Sequence, residues 1–67
     1  MLNITINGES RQFASKLTVG GLIDQLGYAG KRIAVEKNGE IVPKSRHATT
    51  QLVSGDRLEI VVAVGGG

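Results

Sequence analysis

The stretch LTVGGLIDQLG, residues 17–27, decides the fold, because the hydrophobic period of the chain changes there from two residues to that of a helix. Its apolar residues recur at i, i+3, i+4 and i+7, namely Val19, Leu22, Ile23 and Leu26. This spacing places them on one face of a helix. Thr18 stands where an N-cap belongs, and Gly27 where a left-handed C-cap belongs. Gly20 and Gly21 are each worse helix formers than Ala by roughly 1 kcal/mol, and nothing in the sequence accounts for them.

The segment before this helix predicts a β-hairpin. Residues 2–6, LNITI, alternate apolar and polar side chains, as a half-buried strand does. Asn7-Gly8 follows at once, and this dipeptide favours the positive φ angles of a type I′ turn. Residues 9–13, ESRQF, then return as the second strand and end with Phe13 on the core side.

A second hairpin follows the helix. Its first strand passes through residues 33–35, IAV, and its turn is Asn38-Gly39. The returning strand contains Ile41-Val42 and ends at Pro43, because proline lacks the N–H that a β-ladder requires.

The last third of the chain predicts a crossing segment and a long strand. Residues 44–53 are irregular, with one short helical turn, and His47 within them is a surface or capping histidine because no Asp, Glu or Cys is close in sequence. The SGD turn leads into residues 57–64, RLEIVVAV. Alternate residues of that strand share one face, namely Leu58, Ile60, Val62 and Val64.

The predicted order is therefore ββαββ with a fifth, long strand at the end. One amphipathic helix has to cover the apolar face of a mixed sheet of four to five strands, so the fold class is α+β. The first and last strands are the most apolar, and we expect them side by side in the middle of the sheet. Residues 1–64 form one domain in this interpretation, and residues 65–67 a flexible glycine tail.

Composition excludes several classes of function. The 67 residues contain no cysteine and one histidine, so neither a thiolate nor an ordinary zinc site is available. A net charge of +2 and only two aromatic residues argue against nucleic acid binding. No run approaches the roughly 20 apolar residues that a membrane span needs, and the first residues do not resemble a signal peptide. We therefore expect a cytoplasmic protein that is monomeric when free and binds neither membrane nor metal.

Three stretches in this order are similar to a known family: LTVGGLIDQLG, then IAVEKNGEIVPKSR, then SGDRLEIVVAVGGG with its terminal glycines. The chain resembles the ubiquitin-like β-grasp sulfur carriers, and among them the ThiS-type carriers of thiamin biosynthesis. The resemblance covers nearly the whole chain. It implies a β-grasp fold and a carrier protein rather than an enzyme.

The resemblance also implies a reaction and its partners. A ThiF-type adenylating enzyme, using ATP and Mg²⁺, would activate the C-terminal carboxylate, which here is on Gly67. Sulfur from a cysteine desulfurase or a related donor would convert the adenylate to a thiocarboxylate. A ThiG-type thiazole synthase would use that sulfur to build the thiazole ring. Gly66 is the neighbouring residue of the motif, and Gly65 extends the tail.

The residues themselves support this interpretation. The chain has no P-loop and no acidic cluster for Mg²⁺, so an ATP site has to belong to a partner, and no bound cofactor is expected. Without a cysteine, the main-chain terminus is the remaining place for sulfur. Val61 and Ala63 face away from the helix-covered side of the last strand and, with Val64, are candidates for a docking patch beside the tail. The competing interpretation is a central strand with small apolar residues on both faces. Arg57 and nearby basic residues would steer an acidic partner or simply be solvated.

Three alternatives stay open at this point. A carrier of the molybdopterin-synthase small-subunit type would use the same thiocarboxylate with another acceptor, although such chains tend to be longer. A ubiquitin-like modifier would join the glycine carboxylate to lysines. A non-catalytic β-grasp interaction module would bind through a sheet edge and would not need Gly67.

Overall fold

The computed structural model describes residues 1–63, which form five strands, one α-helix and one 3₁₀ turn. The elements in chain order are β1 (Leu2–Ile6), β2 (Glu9–Phe13), α1 (Val19–Gln25), β3 (Ile33–Lys37), β4 (Glu40–Ile41), the 3₁₀ turn (Lys44–Arg46) and β5 (Arg57–Val62). The helix, both hairpins and the short helical turn of the crossing segment are therefore confirmed. Four residues of the predicted domain end and tail, Val64, Gly65, Gly66 and Gly67, lie outside the described residues.

The strands form one mixed sheet in the order β2-β1-β5-β3-β4. β1 and β5 are parallel neighbours, and every other neighbouring pair is antiparallel. The expected adjacency of the first and last strands is thus confirmed, with β5 at the centre of the sheet. The fold is α+β, with a single helix against a five-stranded sheet in the described part of the chain.

Two strand ends differ from the sequence prediction. β4 stops at Ile41, whose side chain is exposed. Val42 turns into the core, although its N–H still donates to the Val35 carbonyl at 2.8 Å. Pro43 accounts for this early end, since it has no N–H to continue the ladder. β5 stops at Val62 instead of residue 64, although the N–H of Ala63 still donates to the Arg32 carbonyl at 2.8 Å.

The hydrophobic core lies between α1 and one face of the sheet. Its buried side chains come from every layer of the fold: Leu2, Ile4, Ile6, Val19, Leu22, Ile23, Val35, Val42, Leu52, Leu58 and Ile60. Phe13 and Leu26 pack against this cluster while remaining half-buried. The apolar face predicted from the strand alternation and the one predicted from the helical spacing are thus buried in the same core.

The helix is capped as its sequence predicts. The hydroxyl of Thr18 accepts a hydrogen bond from the N–H of Gly21 at 3.1 Å, which satisfies a main-chain donor of the first turn. Gln25 is the last helical residue, and Gly27 follows with a φ of +79°, in the left-handed region that glycine adopts without strain.

The two glycines at the start of α1 have different surroundings. The N–H of Gly20 donates to the His47 carbonyl at 2.8 Å, and a Cβ on Gly20 would lie 3.4 Å from that same oxygen. The helix thus approaches the main chain of the crossing segment at Gly20. A Cβ on Gly21 would instead meet side-chain atoms of Leu17 and Thr18 at 3.4 and 3.5 Å, which is ordinary contact.

Replacing Gly21 by alanine is expected to stabilise the protein by about 0.5–1 kcal/mol, because alanine loses less conformational entropy in a helix and fits the site. Equilibrium unfolding in urea measures the difference. Gly20→Ala is the companion variant and should gain a similar amount, because its methyl group would also lie at ordinary contact distance, 3.4 Å from the His47 carbonyl oxygen. A lower stability of Gly21→Ala than of the unchanged protein would contradict the expectation.

Candidate functional site

The candidate site is the end of β5, where the chain leaves the sheet towards its C-terminus. The position of that end depends on how β5 is held along its length. On one side, β1 pairs with β5 only at two positions, Thr5 with Arg57 and Ile6 with Leu58. The side chain of Asn7 continues this pairing: its Oδ1 accepts from the N–H of Ile60 at 2.8 Å, and its Nδ2 donates to the Ile60 carbonyl at 3.1 Å.

The start of β5 is held from the other side by the turn of the second hairpin. Asn38 donates its N–H to the Arg57 carbonyl at 2.7 Å and accepts the Arg57 N–H on Oδ1 at 2.9 Å. Its Nδ2 donates to Oδ1 of Asp56 at 3.0 Å, and Oδ2 of Asp56 accepts from the N–H of Val53 at 2.9 Å. Asp56 is buried, and this network satisfies both of its carboxylate oxygens.

Sequence reasoning identified Asn7 and Asn38 as turn residues but missed that their side chains bind β5. Both have a positive φ, 51° for Asn7 and 53° for Asn38, which confirms the turns. A signal was present in the sequence, since the tripeptide Asn-Gly-Glu occurs at both hairpin turns, at residues 7–9 and 38–40. The repeated tripeptide marks two equivalent positions, one on each side of the central strand.

The far end of β5 remains paired up to the last described residue. Val62 pairs with Ile33, and the bond from Ala63 to the Arg32 carbonyl extends that register by one residue. The tail therefore departs from a fixed point beside the start of β3. We call this point, Val62-Ala63 with Arg32-Ile33, the tail root.

The open face of the sheet carries the predicted docking residues. The side chain of Val61 is 63% exposed, and Ala63 is exposed as well, whereas Leu58 and Ile60 are buried against the helix. Ala34, which pairs with Val61 across the ladder, is also exposed. Val61, Ala63 and Ala34 therefore form a small apolar patch next to the tail root, and the predicted facing of Val61 and Ala63 is confirmed. Whether a partner binds there stays a prediction.

Arg57 is not part of that patch. It lies at the other end of β5, six residues before Ala63, which corresponds to about 20 Å along a strand. Its exposed side chain lines a groove together with Glu36 and Glu59, so the groove carries charges of both signs. The structure thus separates Arg57 from the other candidate docking residues.

The remaining candidates for chemistry have structural roles. A ring nitrogen of His47, Nε2, lies 3.0 Å from the Val42 carbonyl, so the half-buried histidine ties the crossing segment to the end of β4. His47 is also the C-cap residue of the 3₁₀ turn, which agrees with the predicted surface or capping role. Within residues 1–63 no three His, Asp or Glu side chains lie close enough together to hold a metal ion. The same residues contain no helix with the length and apolar character of a membrane span.

A mixed five-stranded sheet in this order with one helix across it, as residues 1–63 form it, is the ubiquitin-like β-grasp fold. A crystal structure of the thiamine biosynthesis protein ThiS from Geobacter metallireducens has the same fold: the TM-score is 0.83 at 30% identity, covering 98% of this chain and 100% of that one. The family model named "ThiS family" matches residues 4–67. The chain belongs to the ThiS family, as its resemblance to the ThiS-type carriers predicted.

Two curated relatives add further context. A thiazole synthase of Paramagnetospirillum magneticum is 47% identical over 66 residues, which are 98% of this chain but only 20% of that protein. The chain thus spans a fifth of the length of that relative. The protein ycf40 of Pyropia yezoensis is 33% identical over 66 residues, covering 98% of this chain and 93% of its own length.

Proposed function

We propose that this chain is a sulfur carrier of thiamin biosynthesis and that the C-terminal carboxylate of Gly67 carries the sulfur. The observation that supports this most is the match to the ThiS family, because it extends through residue 67 and so includes the three glycines. The arrangement at the tail root fits the same role. A rigid body that ends at a fixed point is suited to presenting a short chain to another protein.

The carboxylate needs activation before it can accept sulfur, because an ionised carboxylate is a poor electrophile. In the proposed reaction one carboxylate oxygen attacks the α-phosphorus of ATP and displaces pyrophosphate, which gives an acyl-adenylate. Sulfide then attacks the acyl carbon. AMP leaves with the oxygen that attacked ATP, and the product is a thiocarboxylate. If the donor is a persulfide, its outer sulfur first forms an acyl disulfide, and a thiol then attacks the donor's sulfur, so that a disulfide forms between thiol and donor and the thiocarboxylate is released.

These steps assign the catalytic machinery to partners. A ThiF-type enzyme supplies the ATP and Mg²⁺ site, and a cysteine desulfurase or a related donor supplies the sulfur. The chain contains no cysteine, so none of its own side chains can hold sulfur as a persulfide. In this proposal the protein is a carrier and co-substrate, not an enzyme, and it works in the cytoplasm.

Glycine suits the tail for a steric reason. Without Cβ, residues 65–67 can pass through a narrow channel and adopt backbone angles that other residues avoid. The four residues 64–67 reach roughly 13 Å when extended. That length takes the carboxylate into a buried site while the body stays outside and docks through the patch of Val61, Ala63 and Ala34.

A ThiG-type thiazole synthase is the proposed acceptor. The support is the Paramagnetospirillum magneticum thiazole synthase, in which a segment 47% identical to this chain is part of the same polypeptide. Joining two proteins in one chain raises their effective concentration for each other, which is useful when one acts on the other. The name of this relative, thiazole synthase, also favours thiazole formation over a molybdopterin-type acceptor.

Intact mass spectrometry tests the proposed function directly. The protein is incubated with the ThiF-type enzyme of its own organism, Mg-ATP and sulfide, and a parallel sample lacks ATP. We expect a mass gain equal to the replacement of one oxygen by sulfur, only when ATP is present. Without sulfide, the adenylate should be trapped as an AMP adduct. Neither a thiocarboxylate nor an AMP adduct would contradict the proposal and favour a non-catalytic interaction module.

A further inference from the structure

We propose that a basic cleft beside the tail root binds an acidic surface of the adenylating enzyme; this inference rests on the proposed function and deepens it. We define the basic cleft by Tyr28, Lys31, Arg32, Lys44 and His47. Its volume is about 430 Å³, and Ile23 and Ile33 complete its walls. It lies on the helix side of the sheet, so it is a different surface from the apolar patch on the open face.

The cleft has one sign of charge. Three cationic side chains line it, and among residues 1–63 no carboxylate does; Asp24 lies in the adjoining groove, which shares Lys44 and His47 with the cleft. All three cations, Lys31, Arg32 and Lys44, are exposed, whereas Tyr28 and His47 are half-buried. The groove at the opposite end of β5 differs, because Arg57 shares it with Glu36 and Glu59. The sequence indicated Arg57 as a candidate for attracting an acidic partner, but the basic cleft is the better site.

The backbone that carries these cations is fixed. The N–H of Lys31 donates to the Tyr28 carbonyl at 3.0 Å, and the N–H of His47 donates to the Lys44 carbonyl at 3.1 Å. The contact between the His47 ring and the Val42 carbonyl holds the second wall of the cleft. The charges thus project from a preorganised frame, which reduces the entropy lost on binding.

The position of the cleft identifies its partner. The Arg32 carbonyl accepts the N–H of Ala63, and Ile33 pairs with Val62, so the cleft and the tail root share one pair of strands. An enzyme that takes in the roughly 13 Å of residues 64–67 has to bring the mouth of its tail channel next to this cleft. Exposed charges on an open cleft act mainly by long-range steering of another macromolecule. An acidic rim around the channel mouth is the complementary surface.

Charge reversal with a matched control tests this inference. The test variant is Lys31→Glu with Lys44→Glu, and the control is Arg11→Glu with Lys16→Glu, which changes the net charge equally. Arg11 lies on the edge strand β2, and Lys16 lies near Met1 at the end of the sheet where β5 begins; both are exposed. Carrier-dependent ATP–pyrophosphate exchange is measured at low and high salt, and circular dichroism checks the fold of each variant.

We expect the cleft variant to lose roughly 10-fold or more in kcat/KM at low salt, with kcat unchanged and a smaller loss at high salt. The control should stay near the unchanged protein. The milder variant Lys31→Gln with Lys44→Gln should have a kcat/KM between those of the cleft variant and the control. It shows whether a loss persists when the charges are removed and not reversed, in case the reversed variant misfolds.

Three results would be negative, and they are distinguishable. If the unchanged protein supports no exchange and forms no thiocarboxylate, the proposed function itself fails. If the unchanged protein is active but the cleft variant matches the control in kcat/KM and in salt dependence, the cleft does not contact the enzyme. The second result would also follow if the cleft held a small anion instead, and it would overturn the inference. A loss confined to kcat would overturn it as well.

Discussion

A chain shortened by Gly67 is expected to be activated at least about 100-fold more slowly than the full chain, even though it still ends in two glycines. One residue contributes roughly 3.3–3.6 Å of reach. The carboxylate of the shortened chain would therefore stop about that distance short of the position from which it attacks the α-phosphorus. Misplacement of a reacting group by about 1 Å already costs on the order of 100-fold in rate. The hydrogen bond from the N–H of Ala63 to the Arg32 carbonyl fixes the tail root, so the start of the tail cannot move along the sheet to make up the lost length.

Single-turnover formation of the AMP adduct measures this effect. Gly67→Ala is the control, because it keeps both the length of the tail and the position of the carboxylate. It should be less impaired than the shortened chain. Unfolding in urea should be the same for all three proteins, since every core residue that the structure describes lies within residues 1–63. Activation of the shortened chain at the full rate would show that the position of the terminal carboxylate is not what the enzyme recognises.

Val61→Glu is expected to lower kcat/KM for adenylation by about 100-fold, which corresponds to about 2.7 kcal/mol. The physical reason is burial of a carboxylate against an apolar partner surface without a compensating charge. A loss of this size is typical of a residue at the centre of an interface. The fold should be little affected, because the side chain of Val61 is 63% exposed in the free protein.

The chain offers a closely matched control for that substitution. Val53 is 62% exposed, and it lies near Met1, at the opposite end of the sheet from the tail root. Val53→Glu makes the same chemical change on a surface that the proposed docking does not use, so its activation should be unchanged. Equal activity of the two variants would support the competing interpretation, a central strand that simply tolerates small apolar residues on both faces.

Most of the fold could be predicted because its elements are determined locally. The change of period at residue 17, the Thr18 cap and the two Asn-Gly turns each depend on residues close in sequence, and the structure has all of them. The adjacency of β1 and β5 followed from the apolar character of the first and last strands. The errors are at strand ends, where Pro43 and the last residues of β5 shift a boundary by one or two residues.

The rest could not be predicted because it depends on distant pairs. Asn7 reaches Ile60 across 53 residues of sequence, and the N–H of Gly20 donates to the distant carbonyl of His47. The basic cleft is similar: Lys31 and Arg32 follow the helix, whereas Lys44 and His47 belong to the crossing segment. The sequence shows these residues as scattered charges, and only the folded chain places them on one surface.

The central position of β5 has a consequence for how the protein is made. Both inner neighbours, β1 and β3, are synthesised earlier and have to wait for residues 57–62 before the sheet can close. A nascent or prematurely terminated chain therefore exposes two unpaired strand edges, which favour aggregation and degradation. The strand that completes the sheet is also the one that leads into the tail. Protein quality control would thus remove incomplete chains, and copies available to the proposed activating enzyme would be those synthesised at least through the tail root.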